Sequence, residues 1–257
     1  MSEEQPPQQP EELLFPPPVP PPERDPFWTW GDVFLFIGLA VASWLVGGLL
    51  VTAVAILARV HTQGKVGTPE LLATQAIIYL LAFGALALLF RVQYDRPFWR
   101  SLGWRGFRMP VVQVAALGAF TAYAVSFLGA LIRTPTTPND ITKLLDDPKS
   151  LILMAVFGIT LAPVCEELAF RGFLQPLLVR ALGPVPGVLA AAVPFGLLHY
   201  REYGNSWRHA VIVAAAGAAF GWMRQRTGST LASAIMHASY NALFFVALAG
   251  QKANVWR

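Results

Sequence analysis

Three ionisable side chains fall within six residues of a strongly apolar stretch: Glu166, Glu167 and Arg171 in APVCEELAFRGFL, residues 162–174. An ionised group at the middle of a bilayer costs about 2.5–3.5 kcal/mol on insertion scales, so three of them need a compensating reason. On an α-helix Glu167 and Arg171 are four residues apart, about 40° around the axis, and can pair in the favourable acid-first order. Glu166 lies about 100° away and is left without that partner. Two other apolar stretches carry imidazoles. PFGLLH ends in His199, and HASYN holds His237 with Asn241 one helical turn later on the same face. None of these groups tolerates lipid, so all need a shared wet cavity. Together they suit hydrolysis: a glutamate takes a proton from water, an imidazole orients that water, and imidazole or amide donors hold the developing oxyanion.

Other candidates fit plainer roles. The single cysteine, Cys165, excludes an internal disulfide. As a nucleophile it is disfavoured, because a thiolate beside two carboxylates is electrostatically unfavourable. Ser229, Ser233 and Ser239 lie near the last apolar segment without a spacing that implies a nucleophile. His61 and His209 fall at segment ends, where interfacial residues are expected.

The elements that must position these groups are membrane helices. The 257 residues are 55 % hydrophobic and only 13 % charged, against roughly 25 % charged in soluble domains. Segments 30–58, 70–90, 110–132, 151–181 and 231–249 are each long enough to span a bilayer core of about 30 Å. The shorter segments 187–200 and 209–223 lie between spans and are counted with them. The expected fold is all-α: a polytopic membrane helical bundle of seven to eight transmembrane segments. Residues 1–27, with ten prolines and six acids in the first 26, read as a disordered Pro-rich acidic tail. Residues 28–257 read as the integral membrane domain. Phe27, Trp28 and Trp30 suggest an interfacial aromatic anchor. The loop 91–109 carries five arginines against one aspartate and reads as headgroup-facing. The net charge of +4 comes from arginines at membrane edges and implies no nucleic-acid partner. Gly217 and Gly221 have the small-xxx-small spacing of a tightly packed helix pair, a structural signal without chemistry of its own.

Taken in order, EELAFR, FGLLH and HASYN, with Thr227, Gly228 and Ser229 ahead of the last, resemble the CPBP family. It comprises the type II CAAX prenyl endopeptidases and bacterial relatives that include bacteriocin-processing and self-immunity (Abi) proteins. The resemblance covers residues 151–248 as a catalytic core. It implies that Glu166 is the general base, that His199 helps position water, and that His237 and Asn241 stabilise the oxyanion. Glu167 and Arg171 would then hold the site together. No cofactor is favoured. A zinc ion held by His199, His237 and Glu166 is the alternative, although these residues come from three segments and lack the HExxH spacing. The implied partners are the lipid bilayer and a membrane-associated peptide or protein substrate, prenylated or not. With 15 arginines to 4 lysines, the composition suggests a GC-rich bacterial genome and a multi-pass protein of the inner membrane. Two other functions compete: a non-enzymatic scaffold or immunity factor that uses the buried charges for stability, and a proton-coupled transporter.

Overall fold

The computed structural model describes residues 24–57, 67–135, 145 and 147–253. The tail over residues 1–23, His61 and most of the 133–150 loop lie outside them. Among the described residues all regular structure is helical. Five stretches are long and apolar enough to cross a membrane: α1 (Trp30–Leu57), α2 (Thr68–Tyr94), α4 (Val111–Leu131), the broken helix Pro148–Leu182, and α10, whose span covers Thr230–Lys252. α3 (Phe98–Ser101) is a single turn in the arginine-rich loop. Two more helices, α8 (Pro184–Leu198) and α9 (Trp207–Thr227), lie between spans and bring the expected crossings to seven. The chain is a polytopic all-α membrane bundle.

Outward faces are unusually bare. Phe34, Leu49 and Ile56 of α1 are each at least 70 % exposed. Such an apolar surface suits lipid and would be unfavourable in water. α1 is tied at its first turn, where Asp32 accepts from the Thr29 amide, the Thr29 hydroxyl and the Tyr94 hydroxyl of α2, at 2.7, 2.9 and 2.7 Å.

Trp28 corrects the sequence expectation. Its ring is buried, stacked between Phe90 at 5.4 Å and Phe173 at 5.5 Å. The indole N–H donates to the Phe173 carbonyl at 3.0 Å. An amphipathic ring suits either a membrane interface or a core with a polar partner, and here it has found the partner. Trp30, by contrast, is exposed. Pro26 and Phe27 also belong to packed structure: the Pro26 carbonyl accepts from Arg180, and the Phe27 ring meets Phe90 at 5.1 Å.

The fourth span is broken twice. α5 (Pro148–Ile159) ends at Thr160, whose φ of −113° and ψ of −81° are not helical. The break follows from Pro163, whose ring conflicts with the carbonyl four residues earlier. α6 (Leu161–Glu167) restarts the helix. A seven-residue π-helical turn, Leu168–Leu174, then leads into α7 (Gln175–Leu182), and the Gln175 amide reaches back five residues to the Phe170 carbonyl. Such widened turns gather at functional sites.

Candidate active site

Glu167 and Arg171 straddle the start of the π turn, and both are fully buried. Arg171 Nη1 lies 3.0 Å from Glu167 Oε1. Its Nη2 donates to the Gly217 carbonyl of α9 at 2.8 Å. The guanidinium also sits 4.3 Å from the Phe195 ring centroid, so an aromatic face complements the remaining charge. A Cβ at Gly217 would stand 2.9 Å from Nη2 and 2.7 Å from Phe195. One helical turn on, the Gly221 carbonyl accepts from Gln175 at 3.0 Å. The glycine pair therefore does more than pack: it brings two backbone acceptors against the π turn and α7.

The same Glu167 carboxylate reaches α10. His237 Nδ1 is 2.9 Å from Oε1, and Ser233 Oγ is 2.6 Å from Oε2. Ser233 Oγ is also 2.8 Å from the Phe220 carbonyl, so its one hydrogen can serve either acceptor. Ser233 and His237 are four residues apart, on one face of the helix. An ionised carboxylate only accepts, so Nδ1 carries the proton and Nε2 presents a lone pair. The imidazole is held flat against Phe220, with centroids 4.5 Å apart and planes at 19°. Its Nε2 points to Glu166, 3.9 Å from Oε2. That distance is too long for a direct hydrogen bond. Glu166 keeps partial exposure, while Glu167 beside it has none.

His199 caps α8. Its Nδ1 lies 2.8 Å from the Phe195 carbonyl, which leaves Nε2 directed away from the helix. Phe195 joins it to the cluster, with centroids 5.0 Å from His199 and 5.9 Å from His237. Pro194 sits inside α8 without ending it.

Asn241 stands one turn beyond His237, and its Nδ2 donates to the Gly158 carbonyl at 2.6 Å. Gly158 belongs to the last turn of α5, whose carbonyls have no intrahelical partner. The amide therefore caps the broken helix with one of its two N–H groups.

The contacts of four residues of this neighbourhood are not signalled by the sequence. Ser233 offers only its i−4 relation to His237. Phe195 and Phe220, which cradle Arg171 and His237, look like any core aromatics. Glu202 follows His199 by three residues, with Oε2 3.9 Å from His199 Nε2. Partial burial raises its carboxyl above the usual range; His199 opposes the shift and the Glu166 charge adds to it. Cys165 is buried, and His209 stacks on Tyr203 at 4.9 Å. Among the described residues, no three His, Cys, Asp or Glu side chains converge as a metal-binding group.

The polar cluster thus spans the π turn, α8, α9 and α10, all within one part of the chain. That part, residues 148–243, matches the model of the family described as type II CAAX prenyl endopeptidase Rce1-like. No curated protein and no solved structure matches the chain. The family match and the fold agree: this is a multi-pass membrane protein whose residues 148–243 are similar to the Rce1-like type II CAAX prenyl endopeptidases.

Proposed function

We propose that the chain is an intramembrane endopeptidase that hydrolyses a peptide bond of a membrane-associated protein or peptide with water activated by Glu166. The observation that carries the reading is the linked set Arg171, Glu167, His237 and Glu166. Arg171 neutralises Glu167, Glu167 fixes the His237 tautomer, and the Nε2 lone pair then faces the partly exposed carboxylate at 3.9 Å. A water lying to one side of that gap can contact both groups. Glu166 accepts its proton as the oxygen attacks the scissile carbonyl.

With its Nε2 lone pair, His237 accepts a hydrogen bond from the other O–H of the same water and orients it, while the second N–H of Asn241 donates to the tetrahedral oxyanion. His199 orients the water or the scissile carbonyl from the end of α8. Glu166 then returns the proton to the leaving amine. No metal takes part in this scheme. The arginine-rich composition supports a bacterial cell membrane as the setting, and a membrane-associated peptide without a prenyl group is the substrate class we favour. Comparison of membrane peptide termini between cells expressing the wild type and Glu166→Ala tests the reading. A new terminus confined to the wild type is the expected result, and identical termini in both would remove the activity.

A further inference from the structure

At the membrane edge where α9 ends and α10 begins, two arginines bond to the same short turn, Gly228 to Thr230. Arg105, from the loop after α3, donates through Nε to the Gly228 carbonyl at 2.8 Å. Arg224, in the last turn of α9, donates through Nε to the Thr230 hydroxyl at 3.1 Å. Each is drawn close over a glycine. A Cβ at Gly103 would stand 2.5 Å from Arg224 Nη2, and one at Gly228 would stand 2.5 Å from Arg105 Nη2. Both glycines also have positive φ, 71° and 66°, which other residues adopt at a cost.

The loop is strapped to the turn by further bonds. The Thr230 amide donates to the Gly103 carbonyl, the Thr230 hydroxyl to Leu102, and the Ser229 hydroxyl to Arg105. The arginines are therefore fixed in place rather than free to separate. Among the described residues, only the Nε atoms of this pair meet protein acceptors, and the terminal Nη groups do not. The charge of Arg105 bears unfavourably on Arg224, and Asp25 is the acid that offsets it. Among the described residues, these two cations and Asp25 leave a net positive charge.

An apolar groove of about 440 Å³ is lined in part by the chain neighbours of this strap. Trp104, next to Arg105 in the chain, and Leu231, next to Thr230, line it at this edge. Ile235 and Ala238 continue it along α10, while Thr160 and Val164 form the far wall at the break between α5 and α6. From Leu231 to Ala238 the helix rises about 10 Å. The groove thus follows α10 away from the arginine-bearing turn. A ligand matching both parts has an anionic head and a hydrocarbon chain. We propose that the Arg105–Arg224 pair and this groove hold one anionic membrane phospholipid, its phosphate on the guanidinium Nη groups and an acyl chain along α10.

Purified full-length protein in neutral detergent, titrated with dioleoylphosphatidylglycerol, dioleoylphosphatidylcholine or inorganic phosphate, tests the proposal by thermal unfolding and native mass spectrometry. Phosphatidylglycerol should raise the melting temperature by about 5 °C and remain as one bound lipid. Phosphatidylcholine should do neither, and phosphate alone should give little shift because it leaves the groove empty. Arg105→Gln should abolish the preference for the anionic lipid. Ala234 also lines the groove, and Ala234→Phe, which narrows it and keeps both arginines, should weaken retention on its own. Equal responses to the two lipids, a full response to inorganic phosphate, or a phosphatidylglycerol response unchanged in both variants would overturn it.

Discussion

His237 Nδ1 lies 2.9 Å from Glu167 Oε1, so the carboxylate that neutralises Arg171 also decides which nitrogen of the imidazole carries the proton. One side chain couples the stability of the bundle to the chemistry of the site. The two adjacent glutamates therefore have different duties.

Glu166→Gln should reduce turnover at least 100-fold, the low end for losing a general base, and leave thermal stability close to wild type, because Glu166 is partly exposed. Glu167→Gln should lower stability by about 3–5 kcal/mol, since Arg171 then becomes an uncompensated buried charge. Turnover should fall with it. Unfolding in detergent separates the two: a larger loss for Glu166→Gln would reverse the assignment.

Ser233→Ala removes one donor to a buried carboxylate that retains two other partners. Stability should fall by about 1.5–3 kcal/mol, the range for a hydrogen bond to a charged group, while cleavage per folded molecule survives. Complete loss of turnover in a folded Ser233→Ala protein, with covalent labelling of the wild type by a serine-directed phosphonate, would instead make Ser233 the nucleophile.

Asn241→Ala has two effects to separate. Loss of an oxyanion donor should lower kcat roughly 100-fold to 1000-fold, with a much smaller change in KM. Loss of the bond to Gly158 should also destabilise the break between α5 and α6. Kinetics with a quenched fluorescent peptide in nanodiscs, read beside the melting temperature, distinguish them. A less stable variant with near-normal turnover would confine Asn241 to capping.

Exhaustive chelation should leave cleavage intact. The check is elemental analysis together with activity before and after treatment. Stoichiometric zinc, with activity lost on removal and restored by addition, would sink the scheme based on Glu166.

Acid should erase the contribution of Asp147. Its carboxylate caps α5 by accepting from the Ser150 amide at 2.8 Å, and that bond, with Lys149 nearby, holds its pKa below the ordinary value. A depressed folded pKa gives stability that is present above the unfolded pKa and lost as pH falls through the folded one. The melting temperatures of wild type and Asp147→Ala should therefore differ at neutral pH and converge below the ordinary aspartate range. A gap that stays constant with pH would assign the effect to the backbone.

The local part of this architecture was legible because it repeats at helical spacing. Hydropathy located the spans, and the i,i+4 rule paired Glu167 with Arg171. What periodicity does not encode is which helix faces which. Glu167 and His237 are 70 residues apart, and Arg171 meets the Gly217 carbonyl across 46. Gly217 read as packing alone because its acceptor is backbone, identical in every residue. Nothing in LAFRGFL announces a π turn, since that widening depends on where Arg171 and Trp28 find partners. Trp28 reads as interfacial for the same reason: an indole suits both settings, and only the distant Phe173 carbonyl separates them.

That last bond also sets an order in time. The indole of Trp28 and its acceptor are separated by 145 residues. At about 5–20 residues per second, ribosomal synthesis leaves an interval of roughly 7–30 s between them. The head of α1 must therefore emerge and enter the membrane with its aromatic ring unmatched, then be captured once the π turn has been made. A nascent chain halted before residue 173 should keep Trp28 open to collisional quenchers that the finished protein excludes.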